Sequence, residues 1–245
     1  MLDKGLVLMS DTRTNSGVDN ISVFRKMHYW SVPGERVIAV MTAGNLATTQ
    51  AVISLLEERT KAPEDREPSI LRAPTMFRVA SMIGNLLADT IRDSQMTNDH
   101  QSGGPKFTAS IIVAGQIAGM EPRLFLIYPE GNFIEASEDT PFFQIGETKY
   151  GRPIIIRAYN RQMEFEEAAK LLMVSMDSTL AANLSVGMPL DLLVLERDNF
   201  EPVHDRRIQA NDPYYQKIST GWSEALRTAF HSLPTYDLTS TEEPS

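Results

Sequence analysis

The chain has 245 residues, 42% of them apolar, enough to bury a full core as one large domain or at most two, and one domain over residues 1–233 with a polar tail at 234–245 is the expected organisation. Its formal charge of −9 and the lack of a basic run argue against nucleic acid or an anionic membrane surface as partner, because both need clustered Lys and Arg. The absence of Cys excludes disulfides and thiolate metal sites and is compatible with the cytosol, and no apolar run approaches the roughly 20 residues of a membrane span.

Taken in chain order, residues 5 to 10, 21 to 30 and 36 to 43 read as strands, since β-branched and large apolar residues cluster there in short runs bounded by Asn, Gly and Pro. Being adjacent, the three are expected to share one sheet. After Gly44 the period changes: Leu46, Thr49, Val52, Ile53 and Leu56 repeat at helical spacing. Lys61 to Ser69, with Pro63 and Pro68 among charged residues, predicts a loop. A second helix carries Met76, Phe77, Ala80, Ile83, Leu87 and Ile91 on one stripe, and a polar loop follows from Thr97 to Lys106.

Strands are expected again at Phe107 to Gly115, Arg123 to Tyr128 and Phe133 to Ser137, the last two joined at Glu130-Gly131-Asn132. Tyr150 to Tyr159 leads into a helix whose buried face is Phe165, Ala168, Ala169, Leu172, Met176 and Leu180. Leu190 to Glu196 is a strand. A final helix runs from Asn211, read as its N-cap with Pro213 in the first turn, to about Leu233. Strands, two helices, strands, two helices, then a strand and a helix give a layered α+β sandwich rather than alternating βαβ units.

Three residues stand out chemically. Asp11 leaves an apolar strand and is either a functional carboxylate or a turn-initiating cap of local amides. Lys26 falls inside Val23-Phe24-Arg25-Lys26-Met27-His28-Tyr29-Trp30, where strict alternation puts Phe24, Lys26 and His28 on one face. There it is either a paired cleft residue or a charge protecting an edge strand. Gly44, between strand and helix, offers an amide to a developing oxyanion or simply permits a tight turn. Arg13 either braces Asp11 and its loop or pairs with surface acid. The four His, at 28, 100, 204 and 231, are too dispersed for a local ligand pair, so no catalytic metal and no cofactor are expected.

The run Gly5-Leu6-Val7-Leu8-Met9-Ser10-Asp11-Thr12-Arg13-Thr14-Asn15, with Gly17-Val18-Asp19-Asn20-Ile21-Ser22, Phe24-Arg25-Lys26 and Val37 to Gly44, resembles proteasome-type N-terminal nucleophile hydrolases, and closely their bacterial Anbu branch. The likeness runs from residue 5 to about 232. It implies a four-layer αββα fold and a threonine-type peptidase subunit acting on peptide or protein substrate. It also implies assembly with copies of itself in a ring or open spiral. Lys26 would tune the nucleophile and Asp11 would orient Lys26. Gly44 would hold the oxyanion, and Thr12, Arg13, Thr14, Ala43, Asn45 and Ala47 would wall the peptide groove.

Two places depart from the family pattern. Ile145-Gly146 is followed by Glu147-Thr148 where a Ser-Gly pair is the rule, and Asn183-Leu184-Ser185-Val186-Gly187 stands where an Asp precedes a Ser-Gly-Gly turn. Asn183 then takes the position of the family's Asp, with Ser185 nearby, and Glu147 supplies a carboxylate to the nucleophile's amine or merely begins a helix. The family's nucleophile, a Thr with a free α-amine, falls about five or six residues before Met1, one strand's length. Translation beginning upstream of Met1 explains this best, because the rest of the frame is intact; a fragment or a degenerate paralogue is the alternative. The 245-residue chain is therefore expected not to hydrolyse peptides. A non-catalytic scaffold subunit and an amidase on a small or conjugated amide are the competing functions.

Overall fold

The computed structural model describes residues 1–15, 21–61, 68–98, 107–236 and 238. The motif residues 17 to 20, most of the Lys61 to Ser69 and Thr97 to Lys106 loops, and most of the tail lie outside them. The five-stranded sheet is built from β4 (Met27–Val32), β5 (Arg36–Gly44), β6 (Ala109–Ile117), β7 (Arg123–Ile127) and β8 (Phe133–Glu135), in that order and antiparallel throughout. The expected turn at Glu130-Gly131-Asn132 joins the last pair, with the Gly131 amide donating to Tyr128 O and the Tyr128 amide to Asn132 O. A second sheet has the order β1 (Gly5–Asp11), β9 (Leu190–Glu196), β10 (His204–Ile208). A short hairpin, β2 (Arg13–Asn15) with β3 (Ile21–Val23), stands apart from both.

Alternation along the strands distributes side chains among three cores. On β5, Ile38 and Val40 face outward against the helices α1 (Leu46–Lys61) and α2 (Met76–Asn98), beside Ile83 and Leu87. Val37, Ala39 and Met41 face inward and meet Leu6, Leu8, Leu193 and Leu195 of the other sheet. The outer face of that sheet, with Met9, Leu190 and Leu192, packs on Met173 of α4 (Phe165–Ala182) and Tyr215 of α5 (Pro213–Ser232). Helices, sheet, sheet, helices make a four-layer αββα sandwich, in which α3 (Arg152–Ala158) sits against α4.

Arg36 opens β5 from a buried position. Its guanidinium donates to Ile70 O and Ala73 O at 3.3 and 2.8 Å, stitching the segment before α2 to the sheet.

Several expectations are corrected. β1 does not share a sheet with β4 and β5; its partner β9 lies far along the chain, a pairing that local sequence cannot reveal. The expected strand 21 to 30 is broken, so Lys26 occupies a gap between β3 and β4 rather than a place inside a strand. β10 was not anticipated, because His204-Asp205-Arg206-Arg207 reads as polar surface. It is an edge strand with only Ile208 buried. The N-cap of α5 is Asp212, not Asn211, and its carboxylate accepts from the amides of Tyr214 and Tyr215.

Candidate active site

Three strand ends converge on one cavity of about 740 Å³. Asp11 is the last residue of β1, Lys26 follows the hairpin strand β3, and Gly44 is the last residue of β5. Pairing stops at each of these points, so side chains and amides are released toward the interior space. Lys26 Nζ donates to Asp11 Oδ1 at 2.7 Å. Their side chains are 21% and 12% exposed, open enough to meet a bound group yet shielded enough for the pairing to matter more than a surface ion pair.

The other carboxylate oxygen is also engaged. Asp11 Oδ2 accepts from the amides of Arg13 and Gly187, each at 3.1 Å. One carboxylate therefore ties the β1 end, the loop 184–187 and the lysine together. Lys26 is held through its backbone as well, because its carbonyl accepts from the amide of Thr42 on β5 at 2.9 Å. The Arg13 guanidinium lies over that loop, donating to Leu184 O at 3.0 Å. A Cβ at Gly187 would meet Arg13 Nε at 2.1 Å, so a side chain there would push the Arg13 side chain aside. Gly44 is required as glycine: its φ is +117° and a Cβ would meet Thr108 O at 2.5 Å.

A second polar chain runs along the rim. Asn183, the C-cap of α4, donates from Nδ2 to Glu147 Oε2 at 2.7 Å, and its Oδ1 accepts from the Ser185 amide and hydroxyl at 2.8 and 2.7 Å. The Lys149 amide, and after it the Asn183 side chain, hold the Glu147 carboxyl below the usual carboxylate range. His28, on the cavity wall, has its basicity lowered chiefly by burial.

The structure thus brings Asp11, Lys26, Arg13, Thr14, Ala43, Gly44, Glu147 and Ser185 to one cavity wall. Asn183 stands behind Glu147 and Ser185 as their connector. Thr12, Asn45 and Ala47 do not reach the wall. Thr12 is fully buried with Oγ1 donating to Pro189 O at 2.8 Å, and Asn45 Oδ1 caps the start of α1 by accepting from the Thr48 amide at 3.1 Å. Sequence reasoning missed the stretch Phe142 to Ile145 and the buried Ser10, which also line the cavity. An apolar Phe-Phe pair and a strand Ser carry no chemical signature that could have marked them. Among the described residues no cluster of His, Cys, Asp and Glu suited to a metal ion is present, and no helix is long and apolar enough to cross a membrane.

Comparison with known proteins agrees with this fold. The family model described as proteasome subunit matches residues 2–194. The Anbu (ancestral beta-subunit) structure from Yersinia bercovieri is 44% identical, with a TM-score of 0.88 over 97% of both chains. The helical assembly of the Anbu complex from Pseudomonas aeruginosa is 43% identical, with a TM-score of 0.86 over 97% of this chain and 96% of that one. A proteasome subunit beta from Methanopyrus kandleri is 24% identical over 204 residues, 81% of this chain and 85% of its own length. With its sandwich fold and the extent of these matches, the chain belongs to the proteasome subunit family of N-terminal nucleophile hydrolases, in the Anbu branch.

Proposed function

We propose that this chain is a peptidase subunit that cleaves peptide bonds by threonine-type chemistry, organised as one domain over residues 1–233. The observation that carries the reading is the Lys26–Asp11 pair at 2.7 Å on the cavity wall. A hydroxyl seated beside Lys26 Nζ would feel a positive charge that favours its deprotonated form, while Asp11 keeps that charge aimed.

The nucleophile of this chemistry is a Thr with a free α-amine. Its hydroxyl oxygen bonds to the substrate carbonyl carbon and its proton passes to the amine. The oxyanion so formed is met by the Gly44 amide. Collapse breaks the C–N bond, the departing amine takes the proton, and water then hydrolyses the ester in the same two steps. Thr12 and Thr14 cannot serve, because each lies inside the chain without an α-amine, and the Thr12 hydroxyl is spent on Pro189 O. The nucleophile belongs instead on the free end of a strand segment seated in the cavity beside Lys26. Glu147, Asn183 and Ser185 form a rim network suited to holding that segment's amine. Arg13, Thr14 and Ala43 offer side chains to a peptide substrate, while the backbone amides of Thr12 and Asn45 already donate to Gly187 O and Thr108 O.

The test is a protein extended upstream by the codons that precede Met1, so that processing exposes a Thr. It is expected to hydrolyse fluorogenic peptides, and Lys26→Ala in that protein is expected to lower the rate at least about 100-fold. An unchanged rate in the Lys26→Ala protein overturns the role of Lys26. No turnover in the extended protein at all leaves a non-catalytic scaffold subunit. The helical assembly of the Pseudomonas aeruginosa relative supports self-association of this chain too, and a clean monomer by light scattering at micromolar concentration would overturn it.

A further inference from the structure

We propose that the outer end of α5 is an exchange arm. It docks into the groove between α3, α4 and α5 of a second copy of this chain, which returns its own arm in the same way. This exchange is a specific form of the self-association proposed above and rests on it.

Along α5 and into its C-cap, Tyr215, Ile218, Trp222, Leu226, Phe230 and Leu233 recur every three or four residues and make one apolar stripe. The first half of the stripe is used within the chain. Tyr215 is buried, with its hydroxyl donating to Asp177 Oδ1 at 2.9 Å, Ile218 packs against the same core, and the Trp222 indole donates to Ser178 Oγ at 3.2 Å. The second half is bare. Every residue from Ser223 to Tyr236 is exposed, with Leu226, Phe230 and Leu233 at 51%, 72% and 65%. The last turns of α5, Ser223 to Ser232, span about 15 Å and project past the Trp222 anchor with an apolar face that no described residue covers. So short a piece of helix is marginal in water on its own hydrogen bonds, and a surface over the stripe would hold it.

The groove supplies that surface. It encloses about 390 Å³ on the outer helix layer, lined by Ile154 and Ala158 of α3, Leu171 and Val174 of α4, and Gly221 and Trp222 of α5. A Cβ at Gly221 would meet nothing within 4 Å, so the space above it is open. The arm cannot fold back into its own groove, because Gly221, Trp222 and Leu226 belong to one continuous helix. A second copy can fill it. Where two α5 helices cross antiparallel about a two-fold axis, each arm lies over its partner's groove. Arm and groove adjoin on one face, so that face is self-complementary, as a closed two-fold contact requires. The charges agree: Lys170 and Lys217 stand at the groove against one acid, Glu167, and the residues after the arm carry Asp237, Glu242 and Glu243. Two arms and two grooves would bury on the order of 1,200 Å², which reaches the range of a stable interface.

The test is sedimentation velocity on the full 245-residue chain at about 10 µM, with two variants at exposed positions. Phe230→Asp charges the arm, and Gly221→Glu puts a side chain into the groove. Should Phe230→Asp prove unfolded by circular dichroism, Leu226→Ser combined with Leu233→Ser tests the same arm. The wild-type chain is expected to associate, and each variant alone to lose association by about 30-fold or more. An equal mixture of the two variants is expected to associate again, because the pair keeps one intact arm over one intact groove. Either variant associating as tightly as the wild type, or a mixture that stays apart, overturns the exchange and leaves self-association through another face. A monomeric wild-type chain overturns both and leaves the groove to a partner of another kind.

Discussion

The two sheets of this molecule are built to different rules. The five-stranded sheet is covered on its outer face by α1 and α2 mainly through apolar contacts, with Ile38, Val40, Ile111, Val113 and Phe125 each fully buried beside the buried Thr48 and Thr49 of α1. The three-stranded sheet keeps polar groups inside: Ser175, Asp177 and Thr179 of α4 and Asp191 of β9 are all buried. Asp191 is held by a two-pronged Arg207 contact at 2.7 and 2.8 Å. Its strand β1 also borders the cavity. One half thus provides rigidity through close packing, while the other trades packing for hydrogen bonds and an accessible edge. The candidate site lies where the second half meets the end of β5 from the first.

The sharpest test of this contrast is a pair of core truncations. Phe125→Ala, fully buried on β7 of the five-stranded sheet, is expected to cost about 3–5 kcal/mol in urea unfolding, because the surrounding layers cannot collapse onto the void. Leu8→Ala, on the strand that already borders open space, is expected to cost about 2 kcal/mol. Equal losses would erase the distinction between the sheets.

A smaller effect probes the polar layer. The Tyr215 hydroxyl donates to Asp177 Oδ1 at 2.9 Å in a buried setting that drives its own ionisation well above the ordinary range, by burial first and Asp177 second. Tyr215→Phe leaves that carboxylate one donor short and is expected to cost about 1.5 kcal/mol. A neutral result would mean the layer is held by its apolar contacts after all. The smallest effect is a pH dependence. Burial lowers the His28 pKa below its ordinary 6.5, so the unfolded chain takes up the proton first. The stability tied to neutral His28 is therefore present above about pH 6.5 and is lost as pH falls through the lowered folded value. His28→Gln is expected to flatten the stability curve in that acidic window, and an unaltered curve would remove His28 from the account.

The same contrast explains how much could be read from the residues alone. The Leu190 to Glu196 strand appears with those ends, but the predicted face of α4 was only partly right: Ala168 is buried as expected, while Leu171, Met173, Ser175, Asp177 and Thr179 are buried in place of Leu172, Met176 and Leu180, which lie half-buried. The pairing of β1 was not legible, because its partner is remote in sequence and nothing local distinguishes β9 from β5 as a neighbour. β10 escaped because an edge strand protected by charge looks like a loop. At the site, Asp11 and Lys26 were legible as an unusual acid and base beside apolar runs, and the family likeness supplied their roles. Asp11 at a strand end was legible, but the placement of Lys26 outside a strand was not, because a break in pairing between β3 and β4 depends on what the two sheets do rather than on residues 24 to 26. Asn45 was read as a groove residue, yet its side chain is committed to a helix start, a use that Asn serves equally well.

The buried Arg36 has one further consequence. Its guanidinium grips Ile70 O and Ala73 O, and α1 packs independently against α2, so the two sides of the α1–α2 connection are each anchored without relying on the covalent link between them. A protease cut within residues 62 to 67 should leave two fragments that stay together through gel filtration, and the gene could be split there into separately expressed halves.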